Sequence, residues 1–275
     1  MDDLEAERLF SALEGRELVR DASRHLAEAG IAVAPMKGAL LHALGCADPR
    51  ARRITDVDLL VPRRDAARAR EVLVARGYRV VGRGLAADML APPREGALLV
   101  DLHHTLYPYQ RFGPYADEVF ARARRDAALF GVEVRVMDPL DLYAHLVGHF
   151  VKDRRDDRQR DALGDLAGVA ARFSLSPAEV ARHLEAQGLG RAARYTLAFA
   201  AAAGDGFADM VRAHLTPDPL GDWLAGWARR AVRARRQPAK IAAVPTAFLD
   251  RSIVDGCRSL GAQARFAIAR TLGGG

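Results

Sequence analysis

The run ITDVDLLVP, residues 54–62, constrains this chain more than any other segment. Successive side chains of a strand point to opposite faces, so Val57, Leu59 and Val61 share one face while Asp56 and Asp58 share the other. Such a strand packs its apolar face under other elements and presents two carboxylates on the opposite one. Pro62, with no amide to offer a ladder, ends it. Residues 63–76 then carry an amphipathic helical pattern, Gly77 caps it, and YRVV from Tyr78 begins another strand.

The remaining patterns extend this into a sheet with helices. Leu4, Leu9, Leu13, Leu18, Ala22 and Leu26 recur near helical spacing from Asp3 to about Glu28, and Gly30 supplies the stop. IAVAPMKGALLHALG reads as strand, tight turn and helix, with Lys37 and Gly38 in the turn. DMLAPP and ALLVDLHHTL flank the turn-forming PREG and predict a hairpin whose second strand sets Leu99, Asp101 and His103 on one face, opposite Leu98, Val100 and Leu102. One more strand pair is expected around ALFGVEVRVM, residues 128–137. From Asp138 onward only helical patterns remain, at 139–150, 158–172, 177–187, 189–203, 218–235 and 250–270. The chain therefore divides into an α/β half, residues 1–137, and an α-helical half, residues 138–275.

Composition narrows the function classes. A chain of 275 residues, half of them apolar, buries one generous core or two modest ones. No stretch approaches the roughly 18 uninterrupted apolar residues of a membrane span, and the start MDDLEAERLF is acidic, so a cytoplasmic protein without membrane contact is expected. Cys46 and Cys257 fit no metal spacing and are expected to be reduced thiols. The net charge of +6 rests almost wholly on Arg in an Ala-rich chain, a pattern of base composition before it is one of polyanion binding. Lys occurs only at positions 37, 152 and 240, so each lysine stands outside that drift.

Two carboxylates side by side on a strand repel each other unless a cation intervenes. Hard oxygen ligands favour Mg2+ or Mn2+, which also coordinate triphosphate oxygens. A third carboxylate from a neighbouring strand, for which Asp101 is placed, would complete a site for two ions about 3.5–4 Å apart. Upstream, the amides opening the helix after Lys37 and Gly38, the Lys37 ammonium, and the guanidinium groups of Arg52 and Arg53 are positioned to meet phosphate charge.

The order KG, then RxxDxDLLV, then a helix ending in GY, then VDLHHTL resembles the uncharacterised nucleotidyltransferase families of the DNA polymerase β superfamily, over residues 30–107 and more loosely through HLVGHFVKD and LGDLAGVA. The resemblance implies an α+β fold: a nucleotidyltransferase-type mixed β-sheet core with flanking helices, followed by an α-helical domain that selects the acceptor, with the active site between them. It places the paired acids at Asp56 and Asp58, the third acid at Asp101, all three as catalytic metal ligands, and the nucleotide-binding turn at Lys37 and Gly38, with Arg53 beside it. Lys37-Gly38 stands where the wider superfamily has Gly-Gly or Gly-Ser, so the serine that usually touches the triphosphate is missing and Lys37 is expected in its place. The implied reaction moves a nucleoside monophosphate from an NTP to an acceptor hydroxyl or phosphate with release of pyrophosphate. Asp101 is expected to help the acceptor lose its proton, with His103 or His104 as alternatives.

Several features have a plainer reading. His145 and His149, at i and i+4, suit zinc only with further ligands that the sequence does not supply, and are expected as core or site-facing accessories. The charged run KDRRDDRQRD is a solvated face or an acceptor channel, and the arginines at 229, 230, 233, 235 and 236 a solvated face or a patch for RNA. Trp223 and Trp227 are expected to anchor their helix in the core. The acceptor stays open among a small molecule, a peptide or protein side chain, and an RNA end. Two other functions fit the same residues: a catalytically silent nucleotide- or partner-binding protein of this fold, and a toxin-like transferase modifying RNA ends.

Overall fold

The protein is described by a computed structural model, covering residues 2–107, 112, 116–152, 156–233, 249, 257, 258 and 261. Apart from Cys257, Arg258 and Gly261, the helix expected at 250–270 lies outside those residues, as do the arginines at 235 and 236 and residues 153–155 of the charged run. The chain forms two compact units, one of Met1–Leu106 with Tyr115–Leu142 and the other of Tyr107–Pro114 with Tyr143–Gly275.

The first unit is built on a five-stranded mixed sheet. Helix α1 (Asp3–Glu28) leads to β1 (Ala34–Met36), α2 (Lys37–Ala43), β2 (Asp56–Leu60), α3 (Ala66–Ala75), β3 (Arg79–Arg83), β4 (Ala87–Ala91) and β5 (Leu99–His103). The strands lie in the order β1-β2-β5-β4-β3, with β2 and β5 parallel and every other pair antiparallel. Val57, Leu59, Leu90, Val100 and Leu102 are buried, each contributing about 1.5–3 kcal/mol through removal from water. Close approach of α1 to β2 depends on Gly15, where a Cβ would stand 3.0 Å from Ile54 Cδ1. On β4 Asp88 points toward α3, where Arg70 Nη1 donates to it at 2.8 Å.

Helix α4 (Ala116–Arg122) and the two-stranded sheet of β6 (Arg124–Asp126) and β7 (Val134–Val136) complete this unit. The strand pair was expected within residues 128–137, but its first strand lies upstream. Asp126 accepts hydrogen bonds from the amides of Ala128 and Leu129 and turns the chain there, so Ala128–Phe130 become the connection rather than the strand. Residue Arg135 ties β7 to the segment before β1 through its amide, which donates to the Val33 carbonyl at 2.7 Å.

Helix α5 (Pro139–Lys152) runs across the division, and the second unit continues with α6 (Asp156–Arg172), α7 (Pro177–Ala186), α8 (Gly190–Ala202), α9 (Gly206–His214) and α10 (Pro219–Arg233). Position 148 in α5 accepts only glycine, since a Cβ there would stand 2.6 Å from the Tyr107 ring, whose hydroxyl donates to the Ala144 carbonyl. Arg194 on α8 donates to both carboxylate oxygens of Asp222 on α10, at 2.7–3.1 Å. Sequence periodicity missed α4 and α9, which hold seven and nine residues and so fewer than three turns of pattern. It also misplaced Trp223, whereas Trp227 is half-buried. Trp223 is 58% exposed, because α10 turns Gly221, Leu224, Ala225 and Ala228 inward, and Gly221 lets the helix close on Arg191 of α8.

Candidate active site

Register brings the acids together. Asp58 of β2 lies directly opposite Asp101 of β5, and on its other side opposite Met36 of β1, so the residue after Met36 emerges beside Asp58. That residue is Lys37, whose φ of 49° is left-handed, a conformation that costs a non-glycine residue about 1 kcal/mol or more unless its surroundings hold it. Here an ion pair does so: Lys37 Nζ donates to Asp58 Oδ1 at 2.5 Å. The same oxygen lies 3.0 Å from His103 Nε2; an ionised carboxylate only accepts, so Nε2 carries the proton. His103 Nδ1 is buried without a hydrogen-bond partner among the described residues.

The two facing carboxyls are driven apart in acidity. Burial alone would push Asp58 up, but the Lys37 ammonium and the His103 imidazole outweigh it and hold Asp58 far below the usual carboxylate range. Asp101 moves the other way, raised first by burial and then by the negative charges of Asp58 and Asp56, with His103 and Lys37 only partly offsetting them. Together Asp58, Asp101 and His103 offer ligand atoms within 4.8 Å of one another. Asp56 stands outside this trio, half-buried and accepting from Thr55 Oγ1 at 3.1 Å.

The phosphate-facing residues separate. Gly38 leaves room for Arg52, whose Nη1 lies 3.2 Å from where a Cβ would sit; the Arg52 guanidinium also donates to the Arg53 carbonyl. Arg53 instead extends along the surface to Glu7 of α1 at 3.0 Å. Arg52, not Arg53, therefore lies against the Lys37-Gly38 turn. His104 falls on the opposite side of the chain from His103, toward Asp88, Arg63 and Arg70, and burial lowers its pKa. His145 and His149 belong to the second unit with ring centroids 6.0 Å apart, and among the described residues they join no group of three metal-ligating side chains. Sequence reasoning anticipated neither the Lys37–Asp58 pair nor the His103–Asp58 contact. Only the alternation LVDLH, which puts His103 on the face of Asp101, pointed toward the second.

The donor set suits a hard divalent cation. Asp101 and Asp56 carry negative charge that the Lys37 ammonium does not fully balance, and His103 adds one nitrogen ligand. Among the described residues no helix is long and apolar enough to cross a membrane.

Comparison with known proteins gives the family of the chain. No curated protein matches the chain. Among solved structures, an antigenic nucleotidyltransferase-like protein from Paracoccidioides brasiliensis is similar at 15% identity and a TM-score of 0.48, covering 75% of this chain and 96% of that one. Residues 11–204 match the profile of a family described as uncharacterised nucleotidyltransferase. That span takes in the whole mixed sheet and helices α5 to α8, and the chain belongs to this nucleotidyltransferase family.

Proposed function

We propose that the protein transfers a nucleoside monophosphate from an NTP to an acceptor hydroxyl or phosphate. The observation that carries this reading is the direct pairing of Asp58 with Asp101 across two parallel strands, beside Asp56, in a chain of a nucleotidyltransferase family. Asp58, Asp101 and Asp56 would hold Mg2+ or Mn2+, which would neutralise triphosphate charge when bound. Arg52 at the Gly38 turn and Lys37 orient the phosphates. The acceptor oxygen attacks the α-phosphorus, the bond from that phosphorus to the β-phosphate bridging oxygen breaks, and pyrophosphate leaves. Asp101, directly opposite Asp58, takes the acceptor's proton. The acceptor classes remain a small-molecule alcohol, a peptide or protein side chain, and an RNA end.

The test is label transfer from each α-labelled NTP, with Mg2+ or Mn2+, into a cell lysate fractionated into small molecules, protein and RNA. The wild type is expected to label one fraction, and Asp58→Asn to lose at least about a hundredfold of that rate. Nucleotide binding with no transfer into any fraction would replace this reading with a silent nucleotide-binding protein.

A further inference from the structure

Lys37 already occupies one oxygen of a carboxylate that a divalent ion at this site would share. Asp58 is 3% exposed, and its Oδ1 already meets Lys37 Nζ at 2.5 Å and His103 Nε2 at 3.0 Å. An ion ligated through that oxygen must displace the ammonium, since two cations cannot share one lone-pair direction. The ammonium then needs another anion. Its stem is flexible and ends in a rotatable point charge, and Lys37 opens α2 beside Gly38 and the Arg52 guanidinium.

We infer that Lys37 acts as an internal counter-cation that holds Asp58 until metal and nucleotide arrive together, then passes from Asp58 to the triphosphate. This rests on the transferase reading above and goes beyond it by assigning Lys37 a positioning role with two partners in turn. Bare metal breaks the Lys37–Asp58 pair without bringing an anion to replace it. Metal with triphosphate exchanges that pair for a lysine–phosphate pair and loses little. Ion and nucleotide therefore bind with positive coupling, each raising the affinity of the other by the same factor. The left-handed backbone at Lys37 fits this role, because it fixes where the stem begins while its end remains able to swing.

The experiment follows free Mn2+ by electron paramagnetic resonance during titration of the wild type, Lys37→Gln and Lys37→Gly, with and without a non-hydrolysable ATP analogue. Glutamine keeps a donor for Asp58 without the charge, and glycine relieves the left-handed backbone, so at least one variant retains the fold, checked by circular dichroism. In the wild type the analogue is expected to tighten Mn2+ by about tenfold or more. Both variants are expected to bind Mn2+ alone more tightly than the wild type and to lose most of the tightening. Arg76→Gln removes a positive charge of the same unit that pairs with Glu28 at the surface, and is expected to keep the coupling. Variants that bind bare Mn2+ no better than the wild type, or an analogue that tightens the ion equally in all of them, would overturn the inference. Cooperative binding in a wild type that transfers no label would refute the transferase reading while leaving the role of Lys37 standing.

Discussion

At the scale of single residues, Asp101 is a site where chemistry opposes stability. Its carboxyl is raised above the ordinary value by burial and by Asp58. The folded state therefore holds a proton that the unfolded chain gives up, and stability falls as pH rises from about 4 through the folded value. Asp101→Asn removes that cost, so its melting temperature without metal is expected to exceed the wild type's by a few degrees at pH 7 and to match it near pH 3, while label transfer is abolished. Equal melting curves at pH 7 would refute the strained pairing of Asp58 and Asp101. His42 gives the opposite sign. Burial, then Arg52, lowers its pKa from 6.5 to about 4, so below 6.5 the unfolded chain takes a proton that the folded one refuses. Stability should decline as pH falls from 6.5 to 4, and His42→Gln should flatten that part of the denaturation profile. The acids themselves were legible in sequence, because a period of two assigns Asp56, Asp58 and Asp101 to faces without knowledge of the fold. The partner of Lys37 was not, since it depends on Met36 falling opposite Asp58, a register set by the whole sheet.

At the scale of elements, β3 is the exposed edge of the sheet, and it carries the devices that keep an edge from pairing with another chain. Arg79 and Arg83 are exposed at its two ends, and the register shifts between Val80 and Gly82, leaving Val81 as an outward bulge. Replacing both arginines with valine would join Val81 and Met89 in an apolar, uncharged strip. The double variant is expected to form concentration-dependent oligomers in multi-angle light scattering, where the wild type holds one mass; an unchanged mass would show that the bulge suffices. Strands with clean alternation, β2 and β5, were read to within two or three residues at each end. Of the pair β6 and β7, only β6 was misplaced, because Arg124-Arg125-Asp126 has no strand pattern of its own and is a strand only through pairing with Val134–Val136.

At the scale of the whole molecule, two compact units predict separable unfolding. The proposed metal and nucleotide ligands all lie in the first unit, so ligand binding should stabilise that unit in proportion to the logarithm of ligand concentration. Calorimetry is expected to resolve two transitions, of which only one moves upward with Mn2+ and the ATP analogue. A single transition that shifts as a whole would mean that the units unfold together. The order of strands adds a consequence for how the protein matures. Lys37 directly follows β1, Asp58 lies in β2 and Asp101 in β5, and β2 sits between β1 and β5 although α3, β3 and β4 separate it from β5 along the chain. A refolding chain that has zipped up the local β3-β4-β5 meander still lacks the middle strand, and with it any means of gathering these charges. Capture of the proposed ion is therefore expected to wait for the long-range pairing of β2 with β5, which Mn2+ uptake followed during refolding would time.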